Sequence, residues 1–139
     1  MDLESAFPKD SEATAGLKKC ILYVDNNWAV IEPMNAVLDP LGYETIVTTW
    51  CAEAVRLMRA QPERFDLVIT DMNMPDMDGF ELSRALKKIR PDIPILLCTG
   101  FGDLVDRQDM ADAGISEVIP KPFSIKDISI FIEKALAQS

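Results

Sequence analysis

The chain of 139 residues carries 14 Lys and Arg against 23 Asp and Glu, a net charge of −9, which argues against a nucleic-acid surface because gripping phosphates takes clustered cations. Its length suits one domain with a sizeable core, no apolar run approaches the ~18 residues of a bilayer span, and no signal core opens it, so a cytoplasmic protein is expected. Histidine is absent, and Cys20, Cys51 and Cys98 lack metal-ligand spacing, which predicts reduced, buried thiols.

Residues 1–17 are polar, with Pro8, Gly16 and scattered acids, and read as a flexible tail or linker ahead of one domain over 18–138. Cys20–Val24 is a short apolar run that ends in Asp25-Asn26-Asn27. A first helix follows, with Trp28, Ile31, Met34, Leu38 and Leu41 on one face; Pro33 inside it removes an amide donor and should bend the axis or shift the start. Asp66–Thr70 is the next strand, running straight into Asp71 and then into turn chemistry. Leu82, Ala85, Leu86 and Ile89 give another helical face, Ile93–Cys98 a strand closing on Thr99-Gly100, and Glu117–Ile119 a strand before Lys121-Pro122-Phe123. Ser124 with Asp127 forms a capping-box start for a last helix with Ile125, Ile128, Phe131, Ile132, Ala135 and Leu136 inward. Strands alternating with helices predict βαβ units and a parallel sheet.

In such sheets the carboxyl ends of the strands open onto the crevice where ligands bind, so an acid delivered there points to chemistry. Each polar residue also has a structural reading: Asp25 and Asn26 as caps of the first helix, Thr99 in a Thr-Gly turn, Lys121 before a proline. Their joint occurrence at successive strand ends favours a site. Met72, Met74 and Met77 read as loop packing, and Asp103, Asp106, Asp109 and Asp112 as a solvated acidic face.

These segments in this order, with Asp71-Met72-Asn73-Met74-Pro75-Asp76-Met77-Asp78-Gly79 and Lys121-Pro122-Phe123, resemble the receiver (response-regulator) domain of two-component signalling over about Lys18 to Ala137. The resemblance implies an α/β, flavodoxin-like, doubly wound fold: a five-stranded parallel sheet of order 2-1-3-4-5 with five helices on both faces. It makes Asp71 the phosphoacceptor and Lys121 its ion-pair partner before reaction and the phosphoryl group's afterwards, with a cis bond usual before Pro122. Thr99 would offer its hydroxyl to a phosphoryl oxygen. Mg2+ would be held by Asp25, Asn26, Asp71 and the backbone carbonyl of Asn73, a hard, oxygen-only set suited to a cation that retains waters. The implied partners are a histidine kinase or histidine phosphotransfer protein, and a downstream protein on the face of the fourth helix, fifth strand and fifth helix; neither nucleic acid nor membrane is expected. The module would be no enzyme beyond its own phosphorylation and dephosphorylation. The Leu96–Phe101 stretch, the linker-like start and the stop after the last helix also resemble receivers at the C-terminal end of hybrid histidine kinases.

Two departures stand out. Asn26 occupies the place of the family's second acid, and Val118 the place of an aromatic that swings inward on activation in many members. Activation is therefore expected mainly in the Thr99 to Asp103 loop and the following helix, with Phe101 shielding the acyl phosphate from water. Two alternatives remain open: a degenerate receiver that only binds proteins, and a haloacid-dehalogenase-type phosphatase, which needs an acid where Asn73 stands.

Overall fold

The computed structural model describes residues 18–100 and 105–138. The uninterrupted apolar run Cys20–Val24, which follows the exposed Lys19 in β1 (Lys19–Val24), is buried on both faces, as the centre of a parallel sheet demands. Beside it lie β2 (Tyr43–Thr48) and β3 (Leu67–Asp71), and β4 (Ile95–Thr99) and β5 (Glu117–Pro120) extend the sheet in the order β2-β1-β3-β4-β5, all parallel. This is the flavodoxin-like topology expected from the sequence.

Pro33 breaks the first helix into α1 (Trp28–Ile31) and α2 (Met34–Leu38), followed by a 3-10 turn, Asp39–Leu41, that ends on left-handed Gly42. The break corrects the continuous apolar face. Ile31, Met34 and Leu38 are buried, whereas Trp28 and Leu41 are exposed. The remaining helices are α3 (Cys51–Ala60), α4 (Gly79–Ile89), α5 (Arg107–Ala113) and α6 (Ile125–Ala137). Ser124 and Asp127 form the expected capping box; Ile125, in the first turn outside the packed stripe, is exposed, contrary to the inward face assigned to it.

Alternation along the strands builds two cores. Leu22, Val24, Val68, Ile95 and Leu97 pack with α3, α4 and Ala113 on one face; Ile21, Tyr23, Leu67, Ile69, Leu96 and Cys98 pack with α1, α2 and α6 on the other. The register then sets the site. Val24 lies level with Thr70, Asp71 with Cys98 and Thr99 with Pro120, so Asp25, Asp71, Thr99 and Lys121 emerge together at one end. Cys20, Cys51 and Cys98 are free and buried, as expected. Among the described residues no helix is long and apolar enough to cross a membrane.

Candidate functional site

Asp25 and Asp71 extend the inward series Ile21-Tyr23 and Leu67-Ile69 by one step, and strand alternation thereby delivers two carboxylates to the rim of an apolar core. Both are buried, at 2% and 8% exposure. Lys121 reaches them from the end of β5: its Nζ donates to Asp71 Oδ1 at 2.7 Å and lies 3.8 Å from Asp25 Oδ2. Its own amide donates to the Thr99 carbonyl at 2.9 Å, and the Lys121–Pro122 bond is cis, as the resemblance implies. Thr99 is buried beside this contact.

Two negative charges therefore face one ammonium. Burial raises the Asp25 carboxyl above its ordinary range; an amide hydrogen bond from Asn27 works against this, the Asp71 charge adds to it, and Lys121 partly relieves it. Burial alone would lower the Lys121 ammonium, but the hydrogen bond and charge of Asp71, then the charge of Asp25, outweigh it and hold it above the usual lysine range. Beneath the acids, burial pushes the Cys98 thiol up to about 12, so it takes no part as a thiolate.

The loop 72–78 is closed by Gly79, whose amide donates to the Met72 carbonyl at 2.8 Å. A Cβ there would stand 2.4 Å from Leu97 Cδ1 and 3.0 Å from the Asp71 carbonyl oxygen, so a larger residue would have to displace the Leu97 side chain and press on the Asp71 backbone. Asp78 then caps α4 in a capping box with Glu81. That Asp-x-x-Glu pattern is legible in the sequence and was not read there as a helix start.

Asn27, not Asp25 or Asn26, is the cap of α1: its side chain accepts from the Ala29 amide at 3.0 Å. Asn26 is therefore not the cap, and it stands exposed next to Asp25. Asn73 is also exposed, two residues beyond Asp71. Val118 is half-buried against the first core, and Ile130 is 52% exposed on α6. Asp106 is a cap rather than a merely solvated acid, accepting from the Gln108 and Asp109 amides. Phe101 and Asp103, with the loop expected to respond to phosphorylation, lie outside the described residues, as do residues 1–17.

The donor set suits a hard divalent cation that keeps water ligands. Two buried carboxylates are only partly neutralised by one ammonium, and among the described residues no group of three or more His, Cys, Asp or Glu forms a cage. Such a site would hold a cation through few protein oxygens.

The family model described as the response regulator receiver domain matches residues 21–133. The response regulator receiver protein CpdR of Brucella abortus is 35% identical over 120 residues, which cover 86% of this chain and 98% of that protein. The DNA-binding transcriptional regulator NtrC of a Bradyrhizobium species is 34% identical over 118 residues, but the matched region spans only 24% of its length. Among solved structures, a receiver domain protein from Clostridium thermocellum superposes with a TM-score of 0.80 at 30% identity, covering 86% of this chain and 95% of that one. The sheet order, the acids gathered by its register and these matches lead to one conclusion: the chain belongs to the response regulator receiver domain family of two-component signal transduction.

Proposed function

We propose that the chain, as a receiver domain over residues 18–138, accepts a phosphoryl group on Asp71 from a partner's phosphohistidine in a Mg2+-dependent reaction. The observation that carries this reading is the contact of Lys121 Nζ with Asp71 Oδ1 at 2.7 Å, across fifty residues of sequence and beside a second buried acid. Lys121 holds Oδ1, and the other carboxylate oxygen, Oδ2, attacks phosphorus; the P–N bond breaks, and its electron pair leaves with the donor imidazole, which takes up a proton. The chain has no histidine and so cannot be its own donor. Asp25, Asn26, Asp71 and the Asn73 carbonyl would hold Mg2+, which supplies neutralisation of the charge that gathers on the transferring phosphoryl oxygens. Thr99 then donates its hydroxyl to a phosphoryl oxygen, and Lys121 moves its hydrogen bond from the carboxylate to the phosphate. Downstream contacts are assigned to Val118, Ile130 and α5, a surface that includes an exposed isoleucine.

Intact-mass measurement after incubation with acetyl phosphate and Mg2+ tests the reading. Wild type should gain one phosphoryl group and Asp71→Asn none. A protein that binds Mg2+ without becoming phosphorylated would favour the pure binding module, which the exposed amide at Asn26 supports. Phosphate retained by Asp71→Asn would remove the assignment of the acceptor. The haloacid-dehalogenase alternative loses its ground with the family match and with Asn73 in the place of the required acid.

A further inference from the structure

Helix α3 lacks a cap of its own. Its N-cap residue is Trp50, in the extended conformation that a capping side chain uses but with an indole that cannot accept. The missing acceptor comes from another loop: Asp76 takes the Cys51 amide on Oδ1 at 3.2 Å and the Ala52 amide on Oδ2 at 2.9 Å. The Cys51 thiol adds a hydrogen bond to the Met77 carbonyl at 3.6 Å. Both contacts tie α3 to the 72–78 loop, which follows Asp71 and includes Asn73.

The tie closes a ring around the two acids. The Asp25 amide donates to the Thr48 carbonyl at 3.2 Å, and the Trp50 amide donates to Thr48 Oγ1 at 3.3 Å, so the turn before α3 is already anchored to the Asp25 end of β1. Asp76 joins that same turn to the Asp71 loop. An exposed carboxylate that merely stabilised a helix could sit anywhere near its first turn, including at residue 50 itself; here it spans 24 and 25 residues to do so. We infer that Asp76 is a positioning residue: by clasping the 72–78 loop to the start of α3 it fixes the loop against Asp25 and sets the affinity of the acid pair for a divalent cation. This rests on the reading given under Proposed function and deepens it, since it assigns part of the metal affinity to a residue that touches no metal.

A cap supplied from residue 50 separates helix capping from clasping. Mg2+ binding is measured by calorimetry for wild type, Asp76→Ala and the double variant Asp76→Ala/Trp50→Ser, with thermal melts in chelator and metal-free amide exchange over residues 73–77. Asp76→Ala should melt earlier and bind Mg2+ roughly tenfold more weakly, the low end of what outer-shell residues contribute, because it acts through backbone. Ser at position 50 should recap α3 and recover melting temperature, while Mg2+ affinity stays weak and exchange across 73–77 stays fast. A double variant that regains wild-type affinity would overturn the inference and leave Asp76 as a cap alone. Asp76→Asn, which keeps one acceptor, guards against a fold failure: it should bind with an affinity between wild type and Asp76→Ala, and wild-type affinity there would likewise count against the clasp. Wild type that fails to bind Mg2+ at all would instead remove the underlying reading, a result seen before any variant is made.

Discussion

The two ends of the sheet use the same residue types and treat them differently. At the amino ends, Asp66 accepts from the Cys20 amide at 2.8 Å, and Arg90 donates to the carbonyls of Pro62 and Phe65 and pairs with Asp92 at 2.9 Å. These three residues each close a backbone group or another charge. At the carboxyl ends, two buried carboxylates share one Lys121, and Asp25 is held above its ordinary range mainly by its own burial. A folded domain tolerates charge at either end, and the proposed cation and phosphoryl chemistry is assigned to the end whose charges are left unbalanced.

Exchanging one cation at each end should break the comparison cleanly. Lys121→Ala should still be labelled on Asp71 but lose the beryllofluoride-induced change in amide exchange at Gly100 and α5, because the group proposed to move from carboxylate to phosphate is gone. Removing one partner of a buried pair costs ~3–5 kcal/mol, yet the Lys121 side chain is 33% exposed, so screening reduces this to about 1–2 kcal/mol. Arg90→Ala should be the opposite: a loss of about 2–3 kcal/mol from carbonyls left without their charged donor, with Mg2+ binding and response intact. An unaltered exchange response in Lys121→Ala, or a weakened Mg2+ affinity in Arg90→Ala, would blur the distinction between the ends.

The carboxyl end is the more legible in sequence because it is written in short local words. Apolar runs that stop on Asp25, Asp71, Thr99 and a residue before Lys121 announce strand ends, and parallel pairing gathers them without further information. The Ser124–Asp127 capping box is local in the same way. What could not be read spans the fold or depends on a neighbour. Asp76 looks like one more loop acid until the Cys51 and Ala52 amides arrive from another turn. Trp28 and Leu41 fit a helical period that Pro33 interrupts, so the period carried them to a face the broken helix does not have. The edge strand β2, half-covered and carrying Glu44 and Thr45 among its apolar residues, has no clean pattern.

Adding charge at the carboxyl end sharpens the contrast. Unit charges about 4 Å apart interact by roughly 4 kcal/mol at an effective dielectric of ~20, and desolvation offsets much of the gain toward a dication, leaving on the order of 1–3 kcal/mol. Asn26→Asp should therefore tighten Mg2+ binding by about ten- to a hundredfold. It should also lower the melting temperature in chelator, since three clustered carboxylates repel one another. Trp28, exposed just beyond the acids, reports the titration in a Trp50→Phe background. Unchanged affinity and unchanged metal-free stability would place Asn26 outside the coordination sphere and leave Asp25 and Asp71 as the acidic ligands.

Removing charge from the same end should have the smallest and most diagnostic effect. Burial raises the folded-state Asp25 carboxyl above the 3.8 of an unperturbed aspartate, so ionising it is harder in the fold than in the unfolded chain. Its contribution to stability is fully present below 3.8 and is lost as pH rises through the raised folded value. At neutral pH the metal-free protein therefore bears a cost that Asp25→Asn removes, and the amide oxygen can still accept from the Asn27 amide, as Asp25 Oδ1 does at 2.9 Å. Thermal melts in chelator should show Asp25→Asn more stable than wild type at pH 7, with the difference shrinking as pH falls through the carboxylate range and vanishing once Asp25 is protonated in both states. Mg2+ should reverse the order, because wild type gains a ligand charge that the variant lacks. A wild type more stable than Asp25→Asn at pH 7 without metal would mean that Lys121 already balances both acids, and the difference between the two ends of the sheet would no longer explain where the chemistry sits.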